Sequence, residues 1–98
     1  MSRDEALRRL RASEAVIRGH GAGALYLFGS TARDEASANS DVDVLVDAAD
    51  ESSFDLFDLI AVRDAIADLL TSKVDIIEGS ARQTPFRDLI RPDLVKVF

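Results

Sequence analysis

The sequence contains no cysteine, which excludes disulfide staples, zinc–thiolate centres and thiol nucleophiles together and is compatible with a reducing compartment. It also lacks a long apolar run near its start. Met1-Ser2-Arg3-Asp4-Glu5 is charged and no spanning stretch follows, so neither a secretory signal nor a membrane segment is expected and the chain reads as cytoplasmic, with no membrane partner. Positive charge is scarce in the middle of the chain. Of a net charge of −6, residues 19–78 contribute three basic against thirteen acidic side chains, while residues 1–18 carry five arginines against three acids and residues 79–98 four basic residues against two acids. Nucleic-acid binders grip the phosphate backbone with clustered Lys and Arg, so direct binding of a polynucleotide is not expected.

What is present fits one domain over residues 1–98, long enough to bury roughly 60–70% of its unfolded surface around a single core. Ser2 followed by Glu5 has the form of a capping box, opening a helix that puts Leu7, Leu10 and Ile17 inward and ends at Gly19. Gly19-His20-Gly21-Ala22-Gly23 is glycine-rich but precedes a strand and lacks the G-x-G-x-x-G spacing, so it reads as a loop with a helix cap. His20, the single histidine, is expected to be solvated there. Ser52 or Ser53 caps a long helix with the stripe Leu56, Leu59, Val62, Ile66 and Leu69. Phe54 and Phe57 fit either the core or a partner surface. Thr84-Pro85 opens a short helix to Ile90, and Leu94 to Phe98 alternates as a terminal edge strand. The elements together predict an α/β (α+β) fold, a small mixed sheet of about three to four strands flanked by helices.

The chemistry concentrates between Leu25 and Asp47. The apolar run Leu25 to Phe28 ends on Gly29-Ser30, and a second strand begins with Asp41 and Asp43 before Val44-Leu45-Val46. Side chains two apart on a strand share a face, so Asp41 and Asp43 form a carboxylate pair. Adjacent anions are costly unless a cation or a proton neutralises them, and Mg2+ is held by such oxygens together with substrate phosphates. Glycine lets backbone approach a ligand closely, and a helical turn starting at Ser30 presents free N–H groups to phosphate. The pattern therefore suits a metal–nucleoside triphosphate complex, which together with a basic protein partner also fits the acidic field. A third carboxylate, Asp75, stands in the apolar strand Lys73 to Ile77, where its burial cost suggests that it joins the pair, unless it is an edge acid facing water. Other readings of Asp-x-Asp fail on context: the acids precede their strand, Leu45 and Val46 do not suit an EF-hand, and no lysine follows the glycine as in a Walker loop.

The run Phe28-Gly29-Ser30-x-Ala32-Arg33 with Ser40-Asp41-x-Asp43 resembles the nucleotidyltransferase superfamily that includes DNA polymerase beta, and more closely the minimal nucleotidyltransferases of prokaryotes. That resemblance implies the nucleotidyltransferase core fold, one or two Mg2+ ions on Asp41, Asp43 and Asp75, and ATP held at Gly29 and Ser30. It gives Asp75 a part in activating the incoming hydroxyl, and Arg33 contact with the leaving group or a brace on its loop. It further implies transfer of AMP to a tyrosine of a HEPN toxin, silencing it as its antitoxin; assembly into an oligomer is compatible with this. Two alternatives stay open: an antitoxin that acts by binding alone, and transfer to a small molecule such as an aminoglycoside. One residue departs from the pattern: Asp34 stands where relatives commonly carry glycine.

Overall fold

The computed structural model describes residues 1–79 and 85–98. In chain order the elements are α1 (Arg3–Ala12), α2 (Glu14–Gly19), β1 (Ala22–Phe28), α3 (Gly29–Ala32), β2 (Val42–Ala48), α4 (Leu56–Leu70), β3 (Val74–Glu78), α5 (Pro85–Ile90), a 3-10 turn over Arg91–Asp93, and β4 (Val95–Lys96). The strands form one mixed sheet in the order β3-β2-β1-β4. β1 runs antiparallel to β2 and to β4, whereas β2 and β3 are parallel. Parallel neighbours need a crossover, and α4 supplies it. The expected small mixed sheet with helices is thus the observed architecture. Among the described residues no helix is long and apolar enough to cross a membrane.

Strand alternation divides the sheet into two unlike faces. Leu25 and Leu27 of β1, Val42, Val44 and Val46 of β2, and Val74 of β3 point into one cluster with Leu7 and Leu10 of α1, Ile17 of α2 and Val62, Ile66 and Leu70 of α4. Fully burying one such side chain contributes about 1.5–3 kcal/mol, so this face carries most of the hydrophobic stabilisation. The opposite face holds a much smaller cluster, Phe28, Leu45 and Ile90, with Tyr26, Ile77 and Leu94 packed against it.

Several helix boundaries differ from expectation. The N-terminal helix does open on Ser2, whose hydroxyl accepts from the Glu5 N–H at 3.1 Å, but it breaks at Ser13. There the Ser13 N–H bonds to Leu10 O at 3.1 Å, tightening the last turn, before α2 resumes. The break leaves Leu7, Leu10 and Ile17 all buried. The long helix is capped by Asp55, not Ser52 or Ser53. Asp55 accepts from the Asp58 N–H, and Asp58 reciprocates on the Asp55 N–H, each at 3.0 Å. A carboxylate cap also complements the positive helix end, which a hydroxyl does less well. Starting this late puts Leu56 and Phe57 in water while Phe54 packs on the core. β4 is the expected terminal edge strand, shortened to two residues. Thr84, the expected cap of α5, lies outside the described residues.

Candidate active site

The hairpin β1–β2 and the crossover to β3 bring the sequence-marked residues to one end of the sheet. In the register, Phe28 faces Asp43 across the antiparallel pair, and Asp43 faces Asp75 across the parallel pair. Facing residues project to the same side, so Asp43 and Asp75 stand side by side on the face away from α1 and α4. Asp41 precedes β2 by one residue, two positions before Asp43. Asp43 is the middle of the row: Gly29 and Ser30 follow β1 on one side of it, and Asp75 lies on the other.

Gly29 is required by its surroundings. Its φ is +70°, in the left-handed region that disfavours a side chain, and a Cβ there would collide with Asp43 Oδ2 and stand 3.1 Å from Asp43 Cγ. The bend therefore presses its backbone against the carboxylate, and α3 begins at that residue. Thr31 and Ala32, buried at 1% and 4% exposure, anchor this single turn to the core.

Asp43 is half-buried, and its carboxyl is held above the ordinary value of 3.8, first by burial, then by the negative charges of Asp75 and Asp41; Arg33 opposes the shift. Asp43 thus feels two further carboxylates, and carboxylates offer the hard oxygen donors that Mg2+ takes. Among the described residues no group of three His, Cys, Asp or Glu side chains converges closely enough to hold a metal as they stand. Asp41 is half-buried and Asp75 exposed.

Asp75 corrects one step of the sequence reasoning. It is not buried in an apolar strand: β3 is an edge strand, Val74 points into the core, and Asp75 faces water. Burial cost therefore does not tie it to the pair; the Asp43–Asp75 register does. Arg33 sits at the C-cap of α3, where Nη1 donates to Asp93 Oδ2 at 2.7 Å and Nε to Glu35 Oε2 at 3.3 Å. It braces the loop against the turn before β4, and both carboxylates raise its pKa further. Asp34 adopts φ +59°, in the left-handed region that favours glycine. Its carboxylate compensates by accepting from the Arg3 N–H at 2.9 Å, at the start of α1. Ser40 bonds backward, accepting from the Ser37 N–H at 2.9 Å, and so closes the loop. His20 is exposed, at the C-cap of α2 before β1.

Sequence reasoning did not anticipate a groove at the β3 edge, beside two of these carboxylates. A groove of about 610 Å3 is lined by Asp41 and Asp75 together with Thr71, Ser72, Arg63 and Lys73. Arg63 and Lys73 are two of only three basic residues between positions 19 and 78. Their rarity in so acidic a segment was the available signal.

The chain matches the family described as "Nucleotidyltransferase domain" over residues 11–98. It is 35% identical over 74 residues to "Putative protein adenylyltransferase MJ0126" of Methanocaldococcus jannaschii, covering 74% of each chain. It superposes with a TM-score of 0.81 at 29% identity on a solved chain described as "Structure of putative minimal nucleotidyltransferase", over 97% of this chain and 95% of that one. A chain from the complex described as "tri-AMPylated Shewanella oneidensis HEPN toxin in complex with MNT antitoxin" matches at TM-score 0.66 and 20% identity, over 94% of this chain and 71% of that one, a likeness of fold.

Proposed function

Because this chain belongs to the nucleotidyltransferase domain family, we propose that it is a Mg2+-dependent enzyme that transfers AMP from ATP to a tyrosine hydroxyl of a partner protein. We take the partner to be a HEPN toxin that the modification silences. The observation that carries the reading is the row Gly29-Ser30, Asp43, Asp75 at one sheet end, with Asp41 beside it. A relative named as a protein adenylyltransferase and a structural neighbour from a complex with an AMPylated HEPN toxin support the choice of acceptor.

In this reading Asp41, Asp43 and Asp75 would hold Mg2+, and the ion would supply the positive charge that offsets the triphosphate and polarises the α-phosphorus. The backbone at Gly29 and Ser30 cradles the β- and γ-phosphates, where only glycine lets the chain lie so close to Asp43. Asp75, the most exposed of the three, takes the proton of the acceptor hydroxyl. The acceptor oxygen then bonds to the α-phosphorus as the bond to the bridging oxygen breaks, and the electron pair leaves with pyrophosphate. Arg33 holds the loop in place from the far side through Asp93 and Glu35.

Incubation of the purified protein with ATP, Mg2+ and the protein encoded beside it, followed by mass spectrometry of both, tests the reading. An AMP adduct on the neighbour that disappears with Asp41→Asn is expected. Neutralisation of the neighbour by Asp41→Asn with no adduct at all would replace catalysis by binding alone.

A further inference from the structure

The hairpin has a second end. β1 and β2 place the Phe28–Asp43 pair at one end and the Ala22–Ala48 pair at the other, about 20 Å away along the strand. Beyond the Ala22–Ala48 pair lies a hollow of about 480 Å3, lined by His20, Gly21, Asp50, Ser53, Phe54 and Asp58. Gly21 has φ +103°, and a Cβ there would stand 3.0 Å from the Phe54 ring, so glycine is what lets the ring lie against this backbone. Immediately after Phe54, in the first turn of α4, Leu56 and Phe57 are 66% and 80% exposed. A single exposed apolar side chain is ordinary, but an adjacent leucine and phenylalanine beside a hollow form a contact surface. The charge around them is of one sign. Residues 47–58 carry five acids and no basic side chain. The carboxylates of Asp50, Asp55 and Asp58 accept from the Ser52, Asp58 and Asp55 N–H groups, and among the described residues none of the three forms an ion pair.

We propose that this end of the molecule docks the acceptor protein through a segment that carries arginine or lysine among apolar residues. Its apolar side chains cover Leu56 and Phe57, and its cation enters the hollow toward Asp50 and Asp58. That the partner is the acceptor rests on the nucleotidyl-transfer reading; its chemistry follows from the surface. Exposed aromatic side chains are the anchors that interface centres favour, and carboxylates without a cation of their own draw a basic partner and disfavour an acidic one. The same field repels a polynucleotide or an anionic membrane. A second copy of the chain fits less well, because the arginines of its N-terminal helices are already engaged: Arg9 with Glu5, Arg18 with Glu14, and Arg11 with the carbonyls of Lys96 and Val97. Lying at the opposite end of the hairpin from Asp43, the contact touches none of the reacting groups. It sets how tightly the acceptor protein is held and leaves the transfer step to the carboxylate end.

Titration calorimetry of the full chain against the purified protein encoded beside it, at low and at high salt, tests this with two double variants. Leu56→Ser/Phe57→Ser should weaken binding about tenfold or more, the effect of losing an aromatic anchor. Asp50→Asn/Asp58→Asn keeps an acceptor for each local hydrogen bond and should weaken binding about fivefold at low salt, with a smaller difference at high salt. Both variants should keep the parent melting temperature and transfer AMP to a short peptide bearing the acceptor tyrosine at the parent rate, while KM for the whole acceptor protein rises. Parent-like affinity in the Leu56/Phe57 variant, a neighbour that does not bind the parent, or an equal loss of transfer to the short peptide overturns the proposal. Binding indifferent to salt and to the asparagine pair overturns the basic character of the segment. Self-association that the Leu56/Phe57 variant abolishes gives the face to a second copy and overturns it also. If the parent transfers AMP to neither neighbour nor peptide while the affinity differences hold, the nucleotidyl-transfer reading fails and the docking surface stands.

Discussion

The two faces of the sheet are made from the same strands yet are built to different ends. On the helix-covered face Val42, Val44 and Val46 are at most 2% exposed and pack against three helices. On the other, the alternate residues of the same strand are Asp43 and Leu45, and a carboxylate stands in a half-buried position beside two more of its own sign. One face lowers the free energy of the fold, while the other tolerates an unfavourable charge cluster because the first is well packed. Substitutions on the two faces should therefore separate activity from stability.

The largest effect is expected at Asp43. Asp43→Asn should reduce transfer by at least about a hundredfold, as loss of a group that stabilises developing charge does, without lowering the melting temperature. The sign follows from the raised carboxyl. A proton bound more tightly in the folded than in the unfolded chain stabilises the fold below the unfolded pKa, and that contribution is lost as pH rises through the folded value. In metal-free buffer near neutrality the Asn variant should therefore melt at or above the parent temperature, and the difference should vanish in acid. Thermal scans in EDTA at the two pH values check both halves.

Ile66→Ala probes the opposite face. The residue is fully buried, so urea unfolding should show a loss of about 2–5 kcal/mol, with the activity of the remaining folded fraction close to parent. A loss of specific activity out of proportion to unfolding would contradict the separation of faces. Gly29→Ala touches both properties more gently. Left-handed φ for a residue with a Cβ costs roughly 1–2 kcal/mol, and the added methyl displaces Asp43, so a modest fall in urea midpoint should accompany a fall in kcat.

The grouping of the candidate residues was more legible in the sequence than the helix ends were. Gly29, Ser30, Asp41 and Asp43 lie within one hairpin, where spacing alone fixes which side chains share a face. Asp75 was located for a reason that fails, since it is exposed; its place beside Asp43 depends on the parallel register, a long-range pairing that no local pattern encodes. Arg63 and Lys73 are assembled by the crossover from a helix and the turn after it, and only their scarcity marked them. The caps at Ser13 and Asp55 were missed because neighbouring serines and aspartates compete for the same role, and tertiary packing of Leu10, Ile17 and Phe54 decides between them.

The most direct test is a crystal structure with Mn2+ in place of Mg2+ and α,β-methylene-ATP. Anomalous density for manganese within bonding distance of Asp41 and Asp43, with the β- and γ-phosphates on the Gly29–Ser30 backbone and Asp75 facing the α-phosphorus from the other side, is the expected result. Manganese bound away from Asp43, or a triphosphate lying on the Asp75 side of the row, would contradict it.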